Sequence, residues 1–143
     1  EGVIFAQGSR FGGHALFVKG GNLYYVMNFL GIPPEQQIVA PAPKSGSHIV
    51  GVEFTKERLG EYHEAHGTCK LYIDDASVAE QEIRTVAAMY ALCGEGLCIG
   101  YDSGDAVSKE YTPKFEFMIQ SQRIDATDHA TMVGTKSAPR YQL

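Results

Sequence analysis

The chain has no tryptophan, only three cysteines and six prolines, and only 12 lysines and arginines among 143 residues. Each shortage excludes something. The basic residues are scattered and the formal net charge is -5, so the clustered cationic patch of a general nucleic-acid binder is missing and no such partner is expected. No apolar run approaches the ~20 residues of a membrane span, and the opening EGVIFAQGSRFGG has neither the basic nor the long apolar region of a secretory signal. A soluble chain with no membrane partner is expected. An odd cysteine count, Cys69, Cys93 and Cys98, argues against a disulfide framework and for reduced, buried thiols in a cytoplasmic compartment. Helix-forming stretches are equally scarce. RTVAAMYALC (84 to 93) could give one or two helical turns, yet its Val86, Met89 and Tyr90 suit a strand or crossing loop as well. The chain starts without Met and runs at once into an apolar segment, as a piece of a longer protein would.

What is present has a period of two. GVIFAQ (2 to 7), HALFVK (14 to 19), NLYYVMNFL (22 to 30), HIVGVEFT (48 to 55), TCKLYID (68 to 74), LCIGYD (97 to 102) and FEFMIQ (115 to 120) are rich in Val, Ile, Tyr and Phe. In the fourth, Val50, Val52 and Phe54 alternate with Ile49, Gly51 and Glu53, which predicts one face in a core and one toward water. Gly20-Gly21 and Asp74-Asp75 sit where tight hairpins need positive φ, so the strands flanking each should pair antiparallel. The Pro-rich stretch 31 to 46 has room for a short edge strand at QQIVA. The expected fold is all-β with little or no helix, an antiparallel β-sandwich of concanavalin-like jelly-roll type. It should span residues 1 to 125, with 126 to 143 as a tail or arm that packs on a neighbour.

Taken in order, GVIFAQGSRFGGHALFVKGGNLYYVMNFLG, HIVGVEFTKE, GTCKLYIDDASVAEQEI and GEGLCIGYDSGDAVSKEY resemble the C-terminal domain of long-type bacterial arylsulfatases, a β-sandwich that follows the catalytic domain. The resemblance covers about residues 2 to 120. It implies an accessory domain whose parent hydrolyses sulfate esters and whose partner is the sulfatase catalytic domain or another subunit. A looser similarity extends to concanavalin- and laminin-G-like sandwiches, except that Asp75 stands where their hairpins carry Gly. The C/S-x-P/A-x-R motif of a sulfatase nucleophile is missing: the three cysteines open CKLYI, CGEGL and CIGYD, and no serine fits. The chain by itself is not expected to hydrolyse sulfate esters, and Ca²⁺ is the one cofactor to weigh.

Candidate sites each carry two readings. Tyr101-Asp102-Ser103-Gly104-Asp105 offers Asp102 and Asp105 as Ca²⁺ ligands, but two carboxylates and a carbonyl or two fall short of six to eight oxygens. The alternative is a turn in which Asp102 caps backbone N–H groups and Gly104 supplies an unusual φ. His63, His66 and Cys69, with Glu61 and Glu64, have Zn²⁺-like spacing, yet alternation with Leu71 and Ile73 sends Cys69 into the core. A sugar groove would recruit Arg10, Tyr25, Asn28 and Asp102, and since Tyr24 and Tyr25 point to opposite faces, one of them should be exposed. Glu53, Glu82 and Glu116 could form acid–base pairs but are more economically solvent-facing. Met132, Val133, Tyr141 and Leu143 are candidate contacts of a docking tail. The sequence therefore predicts a non-catalytic accessory sandwich, with a lectin-like carbohydrate-binding module, its Ca²⁺ held at Asp102 and Asp105, as the alternative. Exposed aromatics on one sheet face would favour the lectin; an exposed apolar patch beside the N-terminus would favour the accessory domain.

Overall fold

The computed structural model describes residues 1–85, 96–111, 121–123 and 140–142, the last two stretches by their backbone. Ten strands are found and no helix among the described residues: β1 (Gly2–Ser9), β2 (Gly12–Lys19), β3 (Asn22–Asn28), β4 (Gln36–Pro41), β5 (Ile49–Leu59), β6 (Ala65–Ile73), β7 (Ala76–Arg84), β8 (Leu97–Ile99), β9 (Ser121–Arg123) and β10 (Arg140–Gln142). They form two antiparallel five-stranded sheets, β4-β3-β2-β1-β8 and β7-β6-β5-β10-β9. Four consecutive strands fill most of the first sheet and three most of the second, so each sheet is largely a hairpin meander.

The hairpin turns follow from their residues. Gly20 and Gly21 take φ of 55° and 75°, and Asp74 and Asp75 take 48° and 70°, so both turns have the two left-handed central residues of a type I′ hairpin. Aspartate substitutes for glycine here because it reaches the left-handed region at modest cost and adds bonds. Asp74 accepts the Ile49 N–H (2.9 Å) and the His48 Nδ1 (2.6 Å), which ties the start of β5 to the turn.

Between the sheets lies the main core, with Phe5, Leu16, Leu23, Tyr25 and Ile38 facing Val50, Val52, Cys69, Leu71 and Ile83. Burying side chains of this size stabilises by roughly 1.5–3 kcal/mol each. The first sheet is apolar on its outer face too: Val3, Ala6, Ala15, Phe17 and Val26 form a second cluster, covered by Val107 and flanked by Tyr24 and Tyr111. This is the reason neither tyrosine of the pair is exposed. Tyr25 is in the core, and Tyr24 is half-buried, stacked on Phe17 at 5.0 Å. The second sheet, by contrast, turns a polar face outward, laced by Arg58–Glu82 (2.8 Å), Thr68–Glu57 (2.6 Å), Tyr72–Glu53 (2.7 Å) and Lys70–Glu80 (3.7 Å).

Several segments differ from expectation. LCIGYD is a strand only through Ile99, because Gly100 turns to φ 77° while its N–H still reaches the Ile4 carbonyl (2.8 Å). Within the expected tail, Arg140–Gln142 is a strand lying between β5 and β9, so this part belongs to the second sheet. QQIVA is the edge strand β4, as its prolines suggested. FEFMIQ, residues 86 to 93 and the tail residues Met132, Val133 and Leu143 lie outside the described residues, as does Cys93; Tyr141 lies in β10. Cys69 and Cys98 are free thiols and buried.

The register gives the sandwich two distinct ends. One carries Glu1, the Gly20-Gly21 turn, the 42–48 connection and the Asp74-Asp75 turn, held together by Glu1 on the Gly20 N–H (2.7 Å) and the Ala42 N–H on the Gly21 carbonyl (2.9 Å). The other carries the β1–β2 turn at Arg10 and Phe11, the β3–β4 loop and the β5–β6 loop. Here the Gln36 side-chain amide bonds both the N–H and the carbonyl of Arg84 (2.8 Å each), and the Arg84 guanidinium lies 3.8 Å over the Phe29 ring, joining the two sheets.

Candidate functional site

The segment from Gly100 to Tyr111 leaves β8 and crosses the outer face of the first sheet as a strap. Its underside is apolar, through Val107 and a Tyr111 ring set 4.8 Å from that of Phe17. Polar side chains fasten it. Asp102, buried, accepts the Val107 N–H (3.2 Å) and the Tyr111 hydroxyl. Burial and then that carboxylate raise the Tyr111 pKa well above the usual phenol value, so the hydroxyl stays a donor. Ser108 donates to Glu35 (2.6 Å), Lys19 pairs with Glu110 (3.1 Å), and Arg10 pairs with Asp105 (3.3 Å). Asn28 is the central bracket: its amide donates to the carbonyls of Arg10 (3.1 Å) and Val107 (2.7 Å) and accepts the Gly31 N–H (2.8 Å).

These bonds place the sequence candidates. The Asp102 carboxylate is turned inward to Val107 and Tyr111, and that of Asp105 pairs with Arg10. Asp102 acts as a cap, with Gly104 at φ 72°. Of the proposed sugar-groove residues, Arg10 and Asn28 come together, but Asn28 is buried with its polar atoms bonded to backbone. Tyr25 is 3% exposed, its hydroxyl 3.1 Å from His14 Nδ1, and it cannot meet a ligand at the surface.

The Zn²⁺-like cluster separates for the reason of alternation. Cys69 faces the core, where burial pushes its thiol up to about 12. His66 Nε2 lies 3.3 Å from Glu64, whose carboxylate also accepts the Tyr62 N–H (2.9 Å) and is held below the usual range by its own backbone N–H and then by His66 and Tyr62. Gly60 makes room for this arrangement, since a Cβ there would lie 2.2 Å from the Glu64 carboxylate. Among the described residues no group of three or more His, Cys, Asp or Glu side chains is placed to hold a metal. A histidine the sequence did not single out, His14, lies between Gln7 (3.2 Å) and Tyr25 and edge-on to Phe5, and has its pKa lowered by burial to about 4.

The loop end differs from every other surface. Phe11, Ile32, Leu59 and Tyr62 are 51%, 52%, 54% and 62% exposed, and all belong to its turns or, for Leu59, to the strand end beside one. Other large apolar side chains are exposed singly, Val39 on β4, Val78 on β7, Leu97 on β8 and Tyr101 at the start of the strap, whereas these four share the end away from Glu1. Beside Ile32 opens a cleft of about 280 Å³ lined by Arg10, Gly31, Pro33, Glu35, Val107 and Lys109. The signal in the sequence was a bulky apolar residue within turn chemistry, Phe11 in SRFGG and Ile32 in LGIPP. Among the described residues no helix is long and apolar enough to cross a membrane. Comparison with protein-family models, with characterised proteins and with solved structures returns no match.

Proposed function

We propose that this chain is a non-catalytic accessory β-sandwich, similar to the C-terminal domain of a bacterial arylsulfatase, that packs its loop end against a sulfatase catalytic domain or another subunit. The observation that carries the reading is the occurrence of Phe11, Ile32, Leu59 and Tyr62 at one end of the fold; since this is the end away from Glu1, the docking surface is the loop end and not the N-terminal end that the sequence pointed to. Exposed apolar side chains that share one end of a fold mark a contact surface, whereas scattered ones are ordinary. The other surfaces fit docking less well. The first sheet is already roofed by the strap, and the outer face of the second is a self-paired polar ladder. The exposed aromatics Phe11, Tyr62 and Tyr101 sit on separate turns, which argues against a sheet-face lectin. His48, His66 and the buried carboxylates of Glu64 and Asp102 are occupied in holding turns, a use that suits a scaffold better than acid–base chemistry.

The test is association in trans. The chain is mixed with the catalytic half of a long-type bacterial arylsulfatase lacking its own C-terminal domain, and the mass of any complex is measured by light scattering. A stoichiometric complex is expected, lost in Leu59→Ser/Tyr62→Ser at unchanged thermal midpoint. No complex, or one indifferent to both substitutions, overturns the reading.

A further inference from the structure

The cleft beside Ile32 has a composition that docking does not explain. Its walls come from the β1–β2 turn (Arg10), the end of β3 and the β3–β4 loop (Asn28, Gly31, Ile32, Pro33, Glu35) and the strap (Ala106, Val107, Lys109). The walls are fixed to one another: the Asn28 amide bonds all three segments, Ser108 is bonded to Glu35, and Asp105 to Arg10. Such a cleft is formed before any ligand arrives, which lowers the ordering cost of binding.

Unspent polar capacity remains on its rim. Lys109 is exposed and has no ion-pair or hydrogen-bond partner among the described residues. Arg10 uses Nε on Asp105, leaving the terminal nitrogens of its guanidinium, which lies 4.7 Å over the Phe11 ring, pointed to no partner among the described residues. Glu35 uses Oε2 on Ser108, and its other oxygen remains an acceptor. Two cationic donors and one carboxylate acceptor therefore surround a floor of Ile32, Pro33, Ala106 and Val107. A ligand that satisfies all of them carries an anionic group for Arg10 and Lys109, a hydroxyl for Glu35 and a C–H face for the floor. At about 280 Å³ the volume admits one ring rather than a chain of them.

The geometry points to a binding site for an anionic hydroxylated ring, the chemistry of an acidic sugar, in the cleft bounded by Arg10, Glu35 and Lys109. The site shares Ile32 with the loop-end patch, so it is tested on the chain alone, where its failure is distinct from a failure of docking.

Amide chemical shifts of the full chain, titrated with glucuronate, glucose 6-phosphate and glucose, test it. The first two distinguish a planar carboxylate from a tetrahedral phosphate as the recognised anion. Saturable shifts at Gly31, Ile32 and the 106–109 amides are expected with at least one anionic sugar, with glucose at least tenfold weaker. Arg10→Gln and Lys109→Gln, both exposed and outside the core, should each weaken the anionic ligand about tenfold while leaving the spectrum folded. Absence of saturable shifts, equal affinity for glucose, or unchanged affinity in both variants overturns the assignment.

Discussion

Acid should weaken this fold through His14 before it titrates most carboxylates. The ring lies among Gln7, Tyr25 and Phe5, all uncharged, and burial lowers its pKa from 6.5 to about 4. Between those values the unfolded chain binds a proton that the folded chain refuses, so stability rises with pH across the window and falls as the pH drops from about 6.5 to about 4. At 1.36 kcal/mol for each pH unit, the loss approaches about 3 kcal/mol at the lower end, a large share of a typical domain's stability. Asp74 and Glu64, held below their usual range, contribute stability that begins to be lost near their unfolded values, 3.8 and 4.5, and goes on being lost as pH falls through their folded ones. Urea unfolding at intervals from pH 7.5 to 4, repeated on His14→Gln, separates these contributions. The variant keeps hydrogen-bonding groups near Gln7 and Tyr25 but has nothing to titrate. The difference in unfolding free energy between the two chains should change by about 2–3 kcal/mol over the window, the natural chain losing more. A difference constant to within about 0.5 kcal/mol would show that His14 is not held neutral in the fold.

Phe17→Ala removes a fully buried ring stacked on Tyr24 and tilted against Tyr111 and should cost about 3–5 kcal/mol, lowering the thermal midpoint by on the order of 10 °C. Gly67→Ala should destabilise by at least about 2 kcal/mol in the same assay, because its Cβ would fall 2.0 Å from the Thr55 carbonyl oxygen on the neighbouring strand. Asp102→Ala leaves the Tyr111 hydroxyl without its acceptor and should cost about 1–3 kcal/mol, equally in chelator and in millimolar Ca²⁺; a Ca²⁺-dependent rise in the natural chain, absent from the variant, would make the strap a metal site after all. Cys69, buried with its thiol pushed up to about 12, should resist alkylation by iodoacetamide at pH 8 until the chain is unfolded, which mass spectrometry reads directly.

The parts of this fold legible from residues are those governed by local rules. Alternation in HIVGVEFT placed Val50 and Val52 in the core, Gly20-Gly21 and Asp74-Asp75 marked their hairpins, and prolines marked β4 as an edge. Residues whose role depends on contacts distant in sequence were less visible. Period two predicts one buried face, yet Tyr24 and Phe17 are covered on the other face as well, because the strap arrives from some 80 residues further along the chain. Its polar anchors, Asn28 and Asp102, resemble binding residues in sequence and serve as brackets in the structure. His14 looked like an ordinary polar strand residue until Gln7 and Tyr25 were placed beside it. The loop-end patch was hidden for a related reason: Phe11 and Leu59 are 48 positions apart, and only sheet stacking brings their turns to one end.

Hydrogen exchange of the chain, alone and with the catalytic half of a long-type bacterial arylsulfatase, most directly tests the claim that the loop end is the docking surface. The account predicts added protection at residues 10–13, 30–35 and 59–64, with the Gly20-Gly21 and Asp74-Asp75 turns unchanged. Protection confined to those turns or to the polar face of the second sheet, or no protection at all, would contradict it.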